Sequence, residues 1–133
     1  MDNRKKFEQL VLTGIDTAKA MLDEYQLVVP FGIRAYKDNN DVKMNCSNDN
    51  DLLANWDEQI DKVAAELKEH VKNENIFATV LVTDLQSDDQ KGIGLQVESE
   101  LSSVLFVYPY EKVKDEWVID EPIQTDQLLT RVY

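Results

Sequence analysis

Cysteine and histidine are almost absent from this chain of 133 residues, which has one of each, Cys46 and His70. A single cysteine cannot form an intramolecular disulfide, and a zinc site needs several cysteine or histidine ligands at defined spacing. These shortages exclude a disulfide-bonded secreted framework and make a zinc centre of the usual kind untenable. A reducing compartment is the expected location.

Long hydrophobic runs are also missing. No stretch approaches the roughly 20 apolar residues that a membrane-spanning helix requires. The basic start at residues 3–6 leads into an amphipathic segment and not into the apolar core of a signal peptide. We therefore expect a cytoplasmic protein, and the length fits one domain, residues 1–133, with a single hydrophobic core.

Basic residues are scarce relative to acidic ones: 14 lysines and arginines against 26 aspartates and glutamates, which gives a formal net charge of −12. Nucleic-acid backbones and anionic membranes are bound through Lys and Arg, so this balance argues against both as partners. It favours encounter with a basic protein, whose association an acidic surface accelerates. An acidic surface also serves solubility alone, and both interpretations stay open here.

Apolar residues recur at helical spacing in two segments, which we predict to be the main helices. Residues 3–25 carry one stripe, and Gly14 lies beside it, where a helix and a sheet can approach closely. Residues 50–72 carry a longer stripe, preceded by Asn and Asp residues that can cap the helix.

Alternating or continuously apolar runs predict the strands. They lie at residues 31–36, 41–46, 76–85, 93–97, 104–108 and 117–119. The run at 76–85 is apolar on both faces, which is typical of a central strand covered on both sides. Short connections between the later strands indicate an antiparallel meander, with a turn at Lys114 and Asp115.

The resulting order is α-β-β-α-β-β-β-β, followed by a short helix that Asp126 would cap. We expect an α+β fold, in which an antiparallel sheet of about six strands carries two main helices packed on one face. Proline cannot donate to a sheet ladder, so Pro30 should mark a strand start and Pro109 an edge or bulge. Phe31 then opens the inward-facing series of its strand.

The sequence contains no strong catalytic or ligand-binding motif. Cys46 fits the apolar face of its strand and is predicted to be buried and inert. Residues 92–94 lack the third glycine and the helix of a phosphate-binding loop. Asp84, Glu98 and Glu100 are carboxylates that could divide acid and base roles, or be ordinary surface charges. We expect no catalytic residues, no metal and no cofactor.

Acidic residues surround an aromatic one at residues 115–126, which hold five acids, Trp117 and no Lys or Arg. Such a segment can be a binding edge for a basic partner, or it can protect an edge strand from pairing. Aromatic anchors and exposed steering carboxylates for a partner are predicted at Tyr36, Glu98, Glu100, Tyr110, Trp117, Asp120 and Glu121.

Several segments together resemble those of small uncharacterised bacterial proteins: LVVPFGIRAYKDNNDVKM at 27–44, then ATVLVTDLQ, IGLQVESE and VLFVYPYEK. In that group a Pro-Phe strand follows the first helix and a Pro-Tyr strand comes late. Some members are similar to immunity proteins of toxin systems, which implies neutralisation of a partner by binding. The chain is also similar to small acidic secretion chaperones in size and charge, which implies a dimer that binds unfolded effector segments.

We therefore predict a non-enzymatic protein-binding module of the bacterial cytoplasm, of the immunity type, that neutralises a basic partner. One alternative is a secretion-chaperone-like or homo-oligomeric scaffold, in which the chain forms a homodimer. Another is a carboxylate-dependent enzyme with a concave site around Asp84 or Glu98. The binding module predicts salt-sensitive binding, and the scaffold predicts a stable dimer. The enzyme predicts a concave acidic site.

Overall fold

The computed structural model describes residues 3–39, 41–46, 56–86, 90–125, 129 and 132–133. Its elements in chain order are α1 (Asn3–Tyr25), β1 (Phe31–Tyr36), β2 (Val42–Cys46), α2 (Trp56–Asn73), β3 (Ile76–Gln86), β4 (Lys91–Glu98), β5 (Ser103–Val113), β6 (Glu116–Ile119) and β7 (Ile123–Thr125). The seven strands form one sheet in the order β2-β1-β3-β4-β5-β6, with β7 also paired to β5. Every described pair is antiparallel. The α+β fold and its antiparallel sheet are confirmed.

Left-handed backbone conformations mark two of the changes in chain direction. Gln26 follows α1 with a φ of 62°, and its N–H donates to the carbonyl of Leu22 at 3.0 Å, which closes the last turn of the helix. Lys114 and Asp115 have φ values of 50° and 66° and join β5 to β6. Two successive left-handed residues match the twist of a tight hairpin, so the turn predicted there is confirmed.

The two helices lie on opposite faces of the sheet, so the prediction that both pack on one face is wrong. Neighbouring strand residues point to opposite faces. A Cβ added to Gly32 would lie 2.8 Å from Leu67 of α2, whereas Ile33 approaches Gly14 of α1. Leu81 in the middle of β3 packs with α2, while its neighbours in the strand pack with α1. The apolar character of β3 on both faces is the sequence feature that indicates this arrangement.

Each face has its own hydrophobic core. The core under α1 contains the fully buried side chains Leu10, Leu22, Phe31, Ile33, Val80, Val82, Ile93 and Leu95, among others. The core under α2 is smaller and contains Ile60, Val63, Ala64, Leu67, Leu81 and Val132. Gly14 brings α1 close to the sheet, because a Cβ at this position would lie 2.9 Å from Leu95 Cδ1. The expectation of close helix–sheet approach at this glycine is confirmed.

Pro30 and Pro109 occupy different positions relative to their strands. Pro30 directly precedes β1, so a strand start is confirmed for it, and Phe31 is fully buried as predicted. Pro109 lies inside β5 and pairs with β4 in continuous register. On the other side of β5, β7 pairs with residues 105–107 and β6 with residues 110–113, so Pro109 occupies the gap between them. Pro109 is therefore neither in an edge strand nor at a bulge, but it lies where the ladder on one side of β5 is interrupted, so the prediction is confirmed only in this local sense.

Two predicted segments fall partly outside the described residues. Residues 50–55 of the second predicted helix belong to this group, and α2 is described from Trp56 onward. Of the segment after Asp126, where a short helix is predicted, residues 129, 132 and 133 are described, and none of them is helical. β7 occupies residues where no strand was predicted. Within the described parts of the chain, neither helix combines the length and apolarity needed to cross a membrane.

Candidate functional site

The structure separates the residues that the sequence suggested for partner binding. Tyr36 ends β1, and Glu100 in the turn after β4 lies at the same end of the sheet, where its carboxylate is 3.4 Å from Lys37 Nζ. Asp120 follows β6 at the opposite end, and its N–H donates to the Pro109 carbonyl. No single surface holds all of the predicted residues.

Glu98 is only 1% exposed, which contradicts its prediction as an exposed steering carboxylate. Its Oε2 accepts hydrogen bonds from the N–H groups of Val132 at 2.6 Å and Tyr133 at 3.2 Å. Its Oε1 accepts from the side-chain amide of Gln96 at 3.0 Å, and the Gln96 oxygen accepts from the N–H of Leu129 at 2.6 Å. The side chains of β4 therefore hold these three residues against the α2 face.

Tyr110 is a buried residue, so its prediction as a surface anchor is also contradicted. Its hydroxyl donates to the carboxylate of Asp84, at 2.7 and 2.8 Å from the two oxygens. Burial, followed by the hydrogen bond and the charge of Asp84, raises the pKa of Tyr110 well above its ordinary value. The ring of Trp117 packs edge-on against Tyr110, with centroids 5.7 Å apart, and Trp117 stays partly exposed.

The carboxylates considered for acid–base chemistry do not meet. Asp84 lies on the α1 face, where its Oδ2 also accepts from the N–H of Val28 at 3.1 Å, and Glu98 lies on the α2 face. Glu100 is exposed in the turn after β4. Neither buried carboxylate lines the cavities of about 590 and 400 Å³ beside α1. Both instead accept hydrogen bonds from backbone N–H groups.

Tyr36 belongs to a chain of four hydrogen-bonded side chains on the α2 face. Arg34 Nε donates to the Tyr36 hydroxyl at 2.9 Å, and that hydroxyl donates to Glu74 Oε1 at 2.7 Å. The other Glu74 oxygen contacts Nδ1 of His70. The hydrogen bonds from Tyr36 and then His70 lower the pKa of the Glu74 carboxyl. Tyr36 is thus held in place by its neighbours, and its role as an anchor stays a prediction.

Cys46 is exposed at the end of the edge strand β2, so its predicted burial is wrong. It shares the α1 face with Met44, as the alternation indicates, but this part of the face is open and Met44 is 44% exposed. Partial desolvation, and then the charge of Glu66, raise the pKa of the Cys46 thiol. A raised pKa disfavours the reactive thiolate.

An open apolar groove of about 590 Å³ lies between α1 and β5. Its wall on α1 and its floor on β4 and β5 are formed by Phe7, Val11, Leu12, Val97, Val104 and Phe106, with Glu8 and Ser102 as the polar members. Val97 and Val104 are directly paired across β4 and β5, so both side chains point toward α1. Leu12 is 62% exposed at the rim.

A second cavity of about 400 Å³ continues this groove, since Phe7 and Ser102 line both. It reaches the turn between β4 and β5, where Leu101 is 95% exposed. The ion pair between Lys37 and Glu100 lies along it. The two cavities are continuous. The larger one, between α1 and β5, is mostly apolar, and the smaller one is charged near the turn between β4 and β5.

The residues of this groove are not among those that the sequence predicts for partner binding. The sequence predicts a strand that contains Val104 and Phe106, but which face of that strand a helix covers depends on long-range packing. Leu12 gave a usable signal, because it is a large apolar residue beside the helical stripe of residues 3–25 and does not belong to it. An apolar residue off the stripe indicates a second contact surface on the helix.

Comparison with known proteins gives no match, whether to family models, to curated proteins or to solved structures. The likeness to immunity-type proteins and to secretion chaperones therefore stays a hypothesis that rests on the quoted segments. The groove and the charges around it carry the functional argument.

Proposed function

We propose that this protein is a non-enzymatic binding module of the immunity type, which occludes the surface of a basic partner protein. The observation that carries the proposal is the apolar groove of about 590 Å³ between α1 and β5 on a chain with a net charge of −12. Contiguous exposed apolar surface of this kind marks interaction sites on soluble proteins.

The groove supplies anchoring contacts and the acids supply steering. Apolar and aromatic side chains in a desolvated centre contribute most of the binding energy of an interface. Phe106 on the floor of the groove is such a side chain, and Leu12 lies at its rim. Glu100 is exposed beside the adjoining cavity. Asp120 and Glu121 are exposed at the opposite end of the sheet. The net negative charge of the chain raises the association rate with a basic partner and makes it dependent on salt.

A protein partner fits this groove better than a small molecule. Sites for small molecules are enclosed and place a few polar groups to fix the orientation of the ligand. The groove is open along its length, and Glu8 and Ser102 are its polar lining residues. Such a surface suits the apolar side chains of a protein segment.

The test captures proteins from a lysate of the host cell on the immobilised chain, elutes them with rising salt and identifies them by mass spectrometry. We expect basic proteins that elute at moderate salt. Charge reversal by Asp120→Lys with Glu121→Lys should remove them. The matched control, Asp23→Lys with Glu24→Lys, makes the same change at exposed positions of α1 and should retain them.

The proposal fails if the captured proteins are not basic, or if both double variants and the wild type retain them equally at all salt concentrations. Salt-insensitive retention would remove the steering argument.

A further inference from the structure

We infer that an extended segment of the basic partner, in which apolar residues alternate with Lys or Arg, adds as a strand to the open edge of the sheet at β6. The inference rests on the proposed function, because it names the segment of the basic partner and the acids that this segment meets. It adds a contact surface beyond the groove, since β6 ends the strand order of the sheet on the far side of β5.

Half of the backbone groups of β6 point away from the sheet. The N–H of Asp120 donates to the carbonyl of Pro109 at 2.8 Å. Hydrogen-bonded and non-hydrogen-bonded pairs alternate along an antiparallel ladder, so Val118 bonds to β5 whereas Trp117 and Ile119 do not. The N–H and C=O groups of Trp117 and Ile119 therefore point outward. No strand among the described residues lies on that side, and such an edge is a template for an added strand.

The α1 face of this edge is apolar. Trp117 and Ile119 are partly buried and pack against the core under α1. Lys112 is the cross-strand partner of Trp117, and its Nζ lies 5.3 Å from the centroid of the Trp117 ring. An added strand meets apolar surface and a cation here, which favours apolar side chains and disfavours basic ones on this face.

The α2 face of the same edge is acidic. Glu116 and Asp120 are exposed and lie two residues to either side of Val118. Glu111 is the cross-strand partner of Val118 and is exposed as well. None of these three carboxylates forms an ion pair within the described part of the chain. Opposite charges that face each other on neighbouring strands attract, so Lys or Arg is favoured opposite Glu116 and Asp120.

The two faces together set the alternation of the partner segment. Successive strand residues point to opposite faces, so a segment with apolar residues opposite Trp117 and Ile119 has its basic residues on the acidic face. The apolar residues extend the layer under α1, and the basic residues meet carboxylates that lack a counter-charge. β6 has four residues, which corresponds to about 13 Å of ladder.

The opposite edge of the sheet, β2, does not suit the same segment. Lys43 of β2 is exposed, and its cross-strand partner on the α2 face is Arg34. A segment with apolar residues on the α1 face would bring its own Lys residues next to Lys43, and like charges on adjacent strands repel. The charge therefore directs a basic segment to β6.

A second copy of this chain is also disfavoured at β6. When two β6 strands pair antiparallel with Trp117 opposite Ile119, Glu116 of each copy stands opposite Asp120 of the other. Like charges directly opposite each other destabilise a strand pair, and each copy has a net charge of −12. The acids thus protect the edge from pairing with itself and leave it open to a basic segment.

The test uses three capped synthetic peptides of about seven residues, added in excess to the isotopically labelled full chain. The first alternates Val and Lys, the second has the same composition with Val and Lys in separate blocks, and the third alternates Val and Glu. Titration followed by nuclear magnetic resonance gives each affinity. We expect the alternating Val/Lys peptide to bind at least tenfold more tightly than the others, because it alone forms ladder hydrogen bonds and matches both faces.

Amide hydrogen exchange locates the contact. In the free protein, the outward N–H groups of Trp117 and Ile119 should exchange faster than the N–H of Val118, which bonds to β5. The bound Val/Lys peptide should slow exchange at Trp117 and Ile119 and leave exchange in β2 unchanged.

A matched pair of double variants tests the charge. Glu116→Gln with Asp120→Asn removes two exposed carboxylates from the edge, and Asp23→Asn with Glu24→Gln makes the same change in net charge on α1. We expect the edge variant to weaken binding of the alternating Val/Lys peptide about fivefold, as the loss of two cross-strand charge pairs requires. The α1 variant should bind it as the wild type does.

The outcomes separate this inference from the proposed function. Equal affinity of the alternating and blocked Val/Lys peptides, or slowed exchange in β2 in place of β6, overturns the added strand. No binding of any peptide, while lysate capture still yields salt-sensitive basic proteins, overturns the added strand alone. Capture of no basic protein overturns the proposed function. A concentration-dependent dimer in light scattering, with slowed exchange at Trp117 and Ile119, places a second copy at this edge and overturns the inference.

Discussion

The two faces of the sheet bury their helices by different means. Under α1, strands β1, β3 and β4 present an almost continuous apolar surface: Phe31, Ile33, Val80, Val82, Ile93, Leu95 and Val97. Under α2, alternate residues of the same strands are mostly small or polar: Gly32, Arg34, Thr79, Leu81, Thr83, Gln96 and Glu98. The α1 face is held by apolar burial, and the α2 face by hydrogen bonds around a small apolar cluster.

Among the described residues, each face nevertheless contains one buried carboxylate, and both accept hydrogen bonds from backbone N–H groups. Asp84 accepts from the N–H of Val28 and so holds the chain segment that enters β1. Glu98 accepts from the N–H groups of Val132 and Tyr133. Ionised carboxylates form stronger hydrogen bonds to backbone N–H than neutral acceptors do. On this chain of many acids, these two buried ones hold backbone segments in place.

The largest effect is expected on the apolar face. Phe31→Ala removes a fully buried ring from the core under α1 and should lower the free energy of unfolding by about 3–5 kcal/mol. Urea denaturation followed by circular dichroism measures the loss. Pro30→Val should be tolerated, because Pro30 precedes the ladder and donates no hydrogen bond. A negligible loss in Phe31→Ala would mean that the ring does not belong to this core.

An intermediate effect is expected on the polar face. Glu98→Ala leaves the buried N–H of Val132 without its acceptor, which should cost about 2 kcal/mol of unfolding free energy. Amide hydrogen exchange should accelerate at Val132 and Tyr133 before it does so in α1. Glu100→Ala is the control, since an exposed ion pair contributes less than about 1 kcal/mol. Equal and small losses in both variants would refute the idea that Glu98 holds these residues.

The positions of the helices and strands can be predicted from the sequence, but which face of the sheet each helix covers is harder to predict. Periodicity placed the strands and helices well, because the alternation in β1 and the helical stripe of α1 are local properties. The two-sided apolarity of residues 76–85 already required cover on both faces, and this conflicted with the expectation of helices on one face. In β1 the need for cover on the α2 face is not visible in the sequence. Gly32 and Arg34 are residue types typical of exposed positions, although α2 covers them.

The predicted partner-binding residues show the same limit. Glu98 and Tyr110 look like surface residues in a chain with many acids, and their burial depends on partners distant in sequence. Tyr110 is 26 residues from Asp84, and Glu98 is 34 residues from Val132. Composition cannot encode such pairings. Asp120 and Glu121 are exposed, as a charged segment near an edge strand indicates.

The smallest effect at neutral pH, and the one most specific to the polar face, is expected at Tyr133. Its hydroxyl is buried and has no hydrogen-bond partner among the described residues. Tyr133→Phe removes a polar group that gains nothing by burial, so stability at neutral pH should be unchanged or slightly higher.

At alkaline pH the wild type and Tyr133→Phe should differ in stability. Burial, followed by the charges of Glu100 and Glu98, raises the pKa of Tyr133 to about 12, compared with about 10 in an unfolded chain. A folded-state pKa above the unfolded value means that stability is fully present below pH of about 10 and is lost as the pH rises toward 12. Thermal unfolding across this range should show a steeper loss in the wild type than in Tyr133→Phe. Parallel curves would place the Tyr133 hydroxyl in water, and the α2 face would then be open at β4 in the way that the α1 face is open at β5.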